Sequence, residues 1–597
     1  MREYTSPGEV TLPEDANLLH PVWYHATETP DRKMLAYRDG DRFVDVTAAQ
    51  FAARVQALAR GLVGLGVEVD DRVCIMSKTR IEWTYLQYAA MAAGATVVPI
   101  YETDSVEQVE WIIADSGARI GFFETAELRS QWQHVADAAP LDHVFVIDEG
   151  GLDELTASGN EVTDDELDRR GEKIGPDSVA TIIYTSGTTG RPKGCVTLHH
   201  NLRWDAVQAI AWLPELFSTD DRTLLFLPLA HSFAQLIQAG CVEAGVQIGY
   251  ATSPQELIEE LPMLRPTFLL SVPRIWEKVY NGAVSKASEE GKAAIFKRAV
   301  DVAIEHSRHQ QAGRSPSLPV RLQHAVFDRL VYSKLRSRMG GELRYAVSGG
   351  AALGERLGHF YNGIGVTILE GYGLTETSAG ATANRPSGFK VGTVGQPFPG
   401  VSLRIADDGE VLIKGPNVFA GYWRNEEATR EVLDDDGWFH TGDIGDLDDD
   451  GFLRITGRKK ELIVTAGGKN VAPAVLEDRL RSHPLVSQSM VVGDDRPFIG
   501  ALITIDPDEF PRWADQHGKQ GKSVADLTDD PDLRATIQEA VDHANAAVSR
   551  AESIREFRIL PQDFTIEGGE LTPTLKVKRR VVVDKYDQAI EDIYAEA

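Results

Sequence analysis

Helical and strand-like patterns of apolar residues alternate through the first 150 residues of the chain. Residues 51–62 place apolar side chains on one helical face, and Thr47 with Gln50 predicts a capping box directly before them. Short runs rich in β-branched residues, such as 95–100 and 119–123, lie between the predicted helices. Strands interleaved with helices predict parallel sheets that are covered by helices on both faces.

The same alternation continues to about residue 370, and the number of predicted strands favours two doubly wound sheets over one. Residues 284–340 differ, because they are charged, rich in Arg and Lys, helical in pattern and interrupted by Pro316 and Pro319. We expect a helical insertion there. From about residue 395 the chain is rich in glycine and β-strand formers, and the turn sequence at 407–409 predicts a hairpin.

A smaller segment with both helical and strand patterns follows Gly457. The sequence therefore predicts an α/β fold in which a large N-terminal domain, residues 1–457, combines doubly wound sheets with a β-rich subdomain. A small α+β C-terminal domain is expected over residues 458–597.

The charge of the chain argues against some classes of partner. Acidic residues number 90 and basic residues 61, so the formal net charge is −29. This is the wrong sign for a protein whose main partner is nucleic acid or anionic lipid. We expect no nucleic-acid partner.

Cysteine usage and apolar runs point to a cytoplasmic location. Cys74, Cys195 and Cys241 are widely spaced, which favours neither a disulfide framework nor a metal cluster. The first residues lack the pattern of a signal peptide, and the most apolar run, 85–100, has 16 residues where a membrane span needs ~20. We expect no transmembrane segment. Peripheral contact with a membrane and the oligomeric state stay open.

The strongest local signal is the run of Gly, Ser and Thr at residues 184–194, which ends with Lys193-Gly194. Glycines let successive N–H groups face inward, and hydroxyls and a lysine add donors and charge, so the run is typical of a loop that binds polyphosphate. It lacks the Gly-Lys-Ser/Thr of the common nucleoside-triphosphatase loop, and a strand is predicted after it. The alternative is an ordinary surface loop.

This run resembles the phosphate loop of the adenylate-forming superfamily, which includes acyl-CoA synthetases, nonribosomal peptide adenylation domains and firefly-type luciferases. Further motifs follow in that family's order and cover nearly the whole chain; they lie at residues 227–232, 348–351, 370–377, 438–443, 457–463 and 571–579. The resemblance implies that the enzyme joins a carboxylate to the α-phosphorus of ATP. It also implies ATP, Mg²⁺ and CoA as cofactor and co-substrates.

The resemblance assigns a role to each motif. The implied nucleotide-binding residues are Thr185, Ser186, Gly187, Thr188, Thr189, Gly190, Lys193, Gly349, Gly350, Ala351, Tyr372, Gly373, Thr375, Asp443, Arg458 and Lys576. Glu376 is expected to hold Mg²⁺; taken alone it would more often be a surface acid, and the surrounding motif reverses that interpretation. Asp443, expected in a short polar turn, would accept from both ribose hydroxyls, or would be a simple turn residue.

The implied catalytic set consists of His231 and Lys576 together with Lys193, Thr375 and Glu376. His231 would lie at the mouth of the acyl pocket as a positioning group, and a lone histidine is more often one packed in a core. Lys576 would neutralise charge that develops between the carboxylate and the α-phosphate; a neighbour such as Lys578 is an alternative. Many relatives have glycine directly before this lysine, whereas this chain has Leu575.

The family's C-terminal domain is mobile, and the resemblance places its hinge at Lys460. Gly467, Gly468 and Lys469 would then border the channel for CoA. Without the resemblance, Lys460 is an ordinary exposed lysine.

The insertion at 284–340, the run at 272–278 and the segment around Lys576 resemble long-chain bacterial fatty acid:CoA ligases. One feature departs from them, because Gln235 stands where some relatives have a gating tryptophan. The alternatives are an acyl-AMP ligase that loads a carrier protein and, from another class, a regulatory protein that binds nucleotide without catalysis. The regulatory alternative is disfavoured by four intact residues: Lys193, Glu376, Asp443 and Lys576.

Overall fold

The computed structural model describes residues 2–185, 191–253, 256–466, 469–572 and 575–595. The α-helices in this part of the chain are α1 His20–Glu28, α2 Ala48–Gly64, α3 Ile81–Ala92, α4 Val106–Ser116, α5 Ala126–Gln133, α6 Gly151–Ser158, α7 Asp164–Gly171, α8 His199–Trp212, α9 Ser232–Ala244, α10 Leu257–Leu264, α11 Pro273–Glu289, α12 Ala293–Gln311, α13 Leu318–Phe327, α14 Ser333–Arg338, α15 Glu355–Gly363, α16 Glu426–Val432, α17 Pro473–Arg481, α18 Phe510–Gln516, α19 Pro531–Asn545, α20 Arg579–Lys585 and α21 Asp587–Ala595.

The strands are β1 Glu3–Thr5, β2 Lys33–Asp39, β3 Arg42–Thr47, β4 Arg72–Met76, β5 Thr96–Ile100, β6 Ile120–Phe123, β7 His143–Val146, β8 Val179–Thr185, β9 Lys193–Leu198, β10 Arg222–Leu225, β11 Gln247–Tyr250, β12 Phe268–Ser271, β13 Tyr345–Ser348, β14 Thr367–Tyr372, β15 Thr382–Ala383, β16 Gln396–Pro397, β17 Ser402–Ile405, β18 Glu410–Lys414, β19 Gly421–Tyr422, β20 Phe439–Leu447, β21 Leu453–Arg458, β22 Ile463–Val464, β23 Asn470–Val471, β24 Val486–Val492, β25 Ile499–Ile505 and β26 Ile554–Ile559.

Local sequence signals set the ends of two helices, and α2 begins where its capping box was expected. Thr47 and Gln50 form the capping box of α2, and their side chains each accept from the other's backbone N–H. Helix α4 ends at Gly117, whose φ of +65° is the left-handed conformation that favours glycine. The α/β class predicted from the sequence is confirmed.

A seven-stranded sheet of order β19-β9-β8-β5-β4-β6-β7 carries the predicted phosphate loop. Its central strands are parallel, whereas β8 and β9 are antiparallel and pair Thr185 with Lys193 at their end. The two residues that flank the loop are therefore held as a register pair. Residues 186–190 lie outside the described part of the chain.

The described residues form more sheets with parallel strands than the two that were expected. One has the order β12-β13-β14-β15-β16 and another β10-β11-β2-β3. The additional sheet forms because the hairpin β2–β3 pairs with β11, with Leu35 opposite Ile248. Such a non-local pairing leaves no trace in local periodicity.

An antiparallel sheet of order β1-β17-β18-β20-β21 forms the β-rich part. Strands β17 and β18 make the hairpin predicted around 407–409. Strand β21 ends at Arg458 and runs into a 3₁₀ turn, Lys459–Glu461, from which the chain enters the C-terminal part. The C-terminal part has its own core, built around β24, β25 and α19.

Helices α11 to α14 account for the helical stretch expected around residues 284–340. Helix α11 also contacts the C-terminal part, where the Arg274 guanidinium lies 3.0 Å from the Asp506 carboxylate and Ser285 donates to Glu509 at 2.7 Å. No helix in the described residues is both long and apolar enough to cross a membrane.

Candidate active site

A crevice of about 3480 Å³ runs between the N-terminal and C-terminal parts of the molecule. Its walls contain nearly all the described residues that the motifs singled out. From the N-terminal part these are Thr185, Lys193, His231, Gly349, Gly350, Ala351, Tyr372, Gly373, Thr375, Glu376 and Asp443, from the end of β21 and the turn after it Arg458 and Lys460, and from the C-terminal part Lys576. The sequence motifs thus meet in one place.

Asp443 is the most buried carboxylate of this group, with 3% of its surface exposed. Its Oδ2 accepts from the Tyr372 hydroxyl at 2.6 Å, and its Oδ1 lies 3.0 Å from Arg458 Nε. The expected polar turn around Asp443 was wrong. The residue lies within strand β20, because it pairs in register with Arg458 on β21.

Lys193 and Glu376 approach the same tyrosine. Lys193 Nζ lies 5.0 Å from the centre of the Tyr422 ring, and the Tyr422 hydroxyl donates to Glu376 Oε1 at 2.9 Å. Tyr422 was missed in the sequence. It reaches the site because β19 pairs with β9 and sets Tyr422 opposite Cys195, a contact between distant segments.

Thr375 opens a 3₁₀ turn, Thr375–Thr377, directly beside the first turn of α9. Its hydroxyl lies 3.4 Å from that of Ser232. Two hydroxyls therefore face the crevice together with the Glu376 carboxylate. Ser232 is a second site residue that the sequence reasoning did not single out.

Two glycines in the crevice wall are required by close packing. A Cβ on Gly349 would lie 3.1 Å from the Phe233 ring, and one on Gly373 would lie 2.1 Å from the Ala379 carbonyl oxygen. Gly350 has a φ of +83°, and Ala351 follows it at the exposed rim. This wall presents backbone rather than side chains, which allows a flat ring to approach closely.

His231 is half-buried at the N-terminus of α9, where its Nδ1 accepts from the backbone N–H of Phe233 at 3.2 Å. That bond leaves Nε2 to carry the ring proton. The surrounding protein and the charge of Lys576 lower the pKa of His231 to about 4. The ring is therefore neutral at neutral pH, as a positioning role requires.

Lys576 enters the crevice from the C-terminal part and lies near Arg458, Asp443 and Glu376. Enclosure by protein and the nearby Arg458 lower its pKa, while Asp443, Glu461 and Glu376 act in the opposite direction. The residue before it, Leu575, has a φ of +62°. A leucine thus occupies a backbone conformation that suits glycine.

The remaining predicted residues lie around the connection to the C-terminal part. Lys460 is exposed in the 3₁₀ turn Lys459–Glu461. Lys469 Nζ lies 3.2 Å from the Glu552 carboxylate. Gly467 and Gly468 lie outside the described residues.

One stretch of the crevice wall, which we call the apolar arm, consists of apolar side chains from α8, α9 and the segments that follow α8 and β10. It is lined by Ala209, Leu213, Phe217, Phe226, Leu236 and Ile237. Gln235 is 1% exposed and bonds to the Leu229 carbonyl and to Gln87, so it belongs to a buried polar network beside this arm.

The described residues contain no group of three or more His, Cys, Asp or Glu side chains arranged to hold a metal ion. The crevice does offer oxygen donors, the Glu376 carboxylate and the Thr375 hydroxyl. Oxygen donors suit Mg²⁺, which is commonly bound by one or two carboxylates together with substrate phosphates. The donor set therefore fits Mg²⁺ that arrives with a nucleotide.

Comparison with known proteins agrees with this geometry. The family model described as AMP-binding enzyme matches residues 22–423, and that of the AMP-binding enzyme C-terminal domain matches residues 460–597. The long-chain-fatty-acid–CoA ligase FadD15 of Mycobacterium tuberculosis is 51% identical over 599 residues, which is 100% of both chains. The long-chain-fatty-acid–CoA ligase ACSBG1 of Homo sapiens is 29% identical over 98% of this chain and 86% of its own length.

Solved structures show the same fold. The A-PCP didomain of carboxylic acid reductase from Segniliparus rugosus, in complex with AMP, has a TM-score of 0.75 at 22% identity and covers 98% of this chain and 83% of its own. ATP-bound MatB from Rhodopseudomonas palustris has a TM-score of 0.70 at 24% identity, covering 97% of this chain and 100% of its own. The chain belongs to the family of AMP-binding enzymes.

Proposed function

We propose that this protein is a long-chain fatty acid:CoA ligase that converts ATP, a fatty acid and CoA into acyl-CoA, AMP and pyrophosphate through an acyl-adenylate. One observation carries the proposal. Lys576 of the C-terminal part shares a crevice with Asp443, Arg458 and Glu376, and the apolar arm is part of the wall of the same crevice. The full-length similarity to FadD15 supports the long-chain class.

In the first step a carboxylate oxygen of the fatty acid attacks the α-phosphorus of ATP, and the bond to the bridging oxygen of pyrophosphate breaks. Lys576 and Lys193 offset the negative charge that gathers on both sides of this phosphorus. Thr375 donates to the α-phosphate. No general base is needed, because a fatty acid is already ionised at neutral pH.

The nucleotide is held by groups whose chemistry suits its parts. Asp443 accepts from the ribose hydroxyls, Arg458 fixes that carboxylate, and Tyr372 stacks on adenine beside the backbone of Gly349 and Gly350. Mg²⁺ held by Glu376 would neutralise phosphate charge. Neutral His231, with its proton on Nε2, orients the fatty acid carboxylate.

In the second step the CoA sulfur attacks the acyl carbonyl carbon, the thiol proton is released and AMP leaves. We propose that residues 458–597 form the mobile domain and residues 1–457 the large one, with Lys460 as hinge and with Gly467, Gly468 and Lys469 beside the CoA channel. A hinge residue needs backbone freedom and no contact with substrate, and Lys460 lies exposed in a short turn.

The apolar arm supports a long-chain substrate. Each buried methylene contributes about 0.8 kcal/mol. An arm lined by aliphatic and aromatic side chains therefore gains affinity with each added carbon until its end is reached.

The test measures pyrophosphate release by the purified protein over acids from acetate to stearate, with and without CoA. We expect release that depends on a long-chain acid, and acyl-CoA as the product when CoA is present. Acyl-AMP that accumulates without any transfer to CoA would favour an acyl-AMP ligase. Failure of every acid to release pyrophosphate would overturn the proposal in favour of a binding protein without catalysis.

A further inference from the structure

The helical insertion carries a row of solvent-facing aliphatic side chains. Leu318, Leu322, Val326 and Leu330 are spaced four residues apart along α13 and the π-helical turn Asp328–Tyr332 that continues it. They are 66%, 60%, 55% and 55% exposed, and they are four of the five most exposed large apolar side chains in the described chain. Single exposed apolar residues are common, whereas a continuous row marks an interaction surface.

The opposite face of the same helix is fixed to the protein. Val320 and Tyr332 are buried, and the Tyr332 hydroxyl donates to the Ala299 carbonyl oxygen of α12 at 2.6 Å. His324 Nε2 donates to the Gly363 carbonyl oxygen at 2.7 Å. The exposed row is therefore held outward by a rigid inner face and has no folded partner of its own among the described residues.

Basic side chains accompany the row. Residues 314–338 contain six Arg or Lys residues and a single acid, Asp328, in a chain whose net charge is −29. Asp328 pairs with Arg336. Arg321, Arg329 and Arg338 are exposed and form no ion pair within the described residues. A local positive patch thus contrasts with the acidic remainder of the chain.

We propose that this face, which we call the 318–338 face, docks on an anionic lipid surface. Aliphatic side chains flanked by Arg and Lys are the composition of helices that lie in the headgroup region of membranes. A second copy of the chain suits the face poorly, because a symmetric contact would set the arginines of one copy against those of the other.

The position of the face fits a lipid substrate. The active-site crevice is also lined by Arg308, Ala312 and Arg314, at the end of α12 and in the segment that leads into α13. Docking would hold this end of the crevice against the bilayer. This last point rests on the proposed function, whereas the docking itself does not.

The test is co-sedimentation of the full chain with vesicles of phosphatidylcholine, alone or mixed with phosphatidylglycerol. We expect binding to the mixed vesicles that weakens when NaCl is raised from about 0.1 M to about 0.5 M. Val326→Asp should weaken binding by about tenfold or more. Val10→Asp is the matched control, because Val10 is 40% exposed and far along the chain from the face, and it should bind as the parent does.

A charge variant covers the case in which Val326→Asp fails to fold. Arg321→Gln combined with Arg329→Gln changes only exposed groups and should weaken binding to the mixed vesicles by about tenfold. Equal binding by this variant and the parent would overturn the proposal. The proposal would also be overturned if the parent protein bound neither vesicle type. A smaller oligomer for Val326→Asp than for the parent in size-exclusion chromatography would overturn it too, because that result would identify the face as a protein interface. Co-sedimentation measures vesicle binding without any catalytic reaction. A negative result would therefore not bear on the proposed ligase activity, and absence of ligase activity would not bear on vesicle binding.

Discussion

Arg458 and Asp443 face each other across two antiparallel strands, with 3.0 Å between Arg458 Nε and Asp443 Oδ1. Arg458 is the last residue of β21, directly before the turn that leads to the C-terminal part. The same carboxylate also accepts from Tyr372. A nucleotide bound at Asp443 would therefore be coupled to the segment about which the C-terminal part is proposed to turn.

The Tyr372 hydroxyl is expected to prepare Asp443 for the ribose. Tyr372→Phe keeps the ring and removes the 2.6 Å hydrogen bond to Asp443. A hydrogen bond to a charged group contributes about 1.5–3 kcal/mol, so KM for ATP should rise by about tenfold or more. Tyr586→Phe is the matched control, because it removes a 3.2 Å hydrogen bond to the Glu570 carboxylate, and neither residue lines the crevice. A rise of KM in both variants, or in neither, would contradict this assignment.

Lys576 should serve the first step only. Lys576→Ala is expected to reduce adenylate formation by about a hundredfold or more, because it removes a charge placed for the transition state. Transfer from supplied acyl-adenylate to CoA should survive. Pyrophosphate release and thioester formation are measured separately, with Lys578→Ala as the neighbouring control. Equal loss of both steps in Lys576→Ala would argue against two working positions of the C-terminal part.

Leu575 tests whether backbone conformation positions Lys576. A φ of +62° destabilises the folded state by roughly 1–2 kcal/mol when the residue is leucine. Glycine would avoid this strain, but its greater backbone freedom in the unfolded chain would cost a similar free energy on folding. Leu575→Gly should therefore keep both stability and pyrophosphate release. Leu575→Ile should impair release strongly, since a β-branched residue is a severe outlier at positive φ. If the isoleucine variant releases pyrophosphate normally, the left-handed conformation is not required.

Much of the fold could be predicted from the sequence because the sequence signals for helix starts and turns are local. The capping box at Thr47 and the hairpin around 407–409 each depend on neighbouring residues. The motif residues were found through family resemblance, and the fold brings nearly all the described ones to one crevice.

What the sequence did not reveal depends on contacts between distant segments. Tyr422 reaches Glu376 only because β19 pairs with β9, and Asp443 lies in a strand only because Arg458 pairs with it. The pairing of β2 with β11 created a sheet that local periodicity could not predict. These pairings are chosen by tertiary packing, which overrides local preference.

We expect the backbone of Lys460, rather than its side chain, to affect the thioester-forming step. Lys460→Pro is expected to spare adenylate formation and slow thioester formation, because proline fixes φ where a hinge must rotate. Lys460→Ala removes the exposed side chain and should leave both steps near their parent rates. The two half-reactions are timed in single turnovers. Loss of adenylate formation in Lys460→Pro, or an equal effect of the alanine variant, would remove Lys460 from the hinge.

Glu370 should make stability depend on pH. It is 8% exposed beside the crevice, and burial raises its pKa from 4.5 to about 7, although the Leu353 N–H donates to it at 3.0 Å. The folded state therefore holds a proton that the unfolded state releases between about pH 4.5 and pH 7. The contribution of this group to stability falls as pH rises through that window and stays low above it.

Glu370→Gln removes this titration and keeps an oxygen that can accept from Leu353. We expect its melting temperature to exceed that of the parent by a few degrees at pH 8, corresponding to at most about 3 kcal/mol, with a much smaller difference at pH 5. Thermal unfolding of both proteins across this range measures the difference. Glu3→Gln, at a surface position paired with Arg404, controls for the loss of one negative charge. A difference between Glu370→Gln and the parent that is constant with pH would mean that Glu370 is ionised in the folded protein throughout, and that its burial is compensated by the hydrogen bond from Leu353.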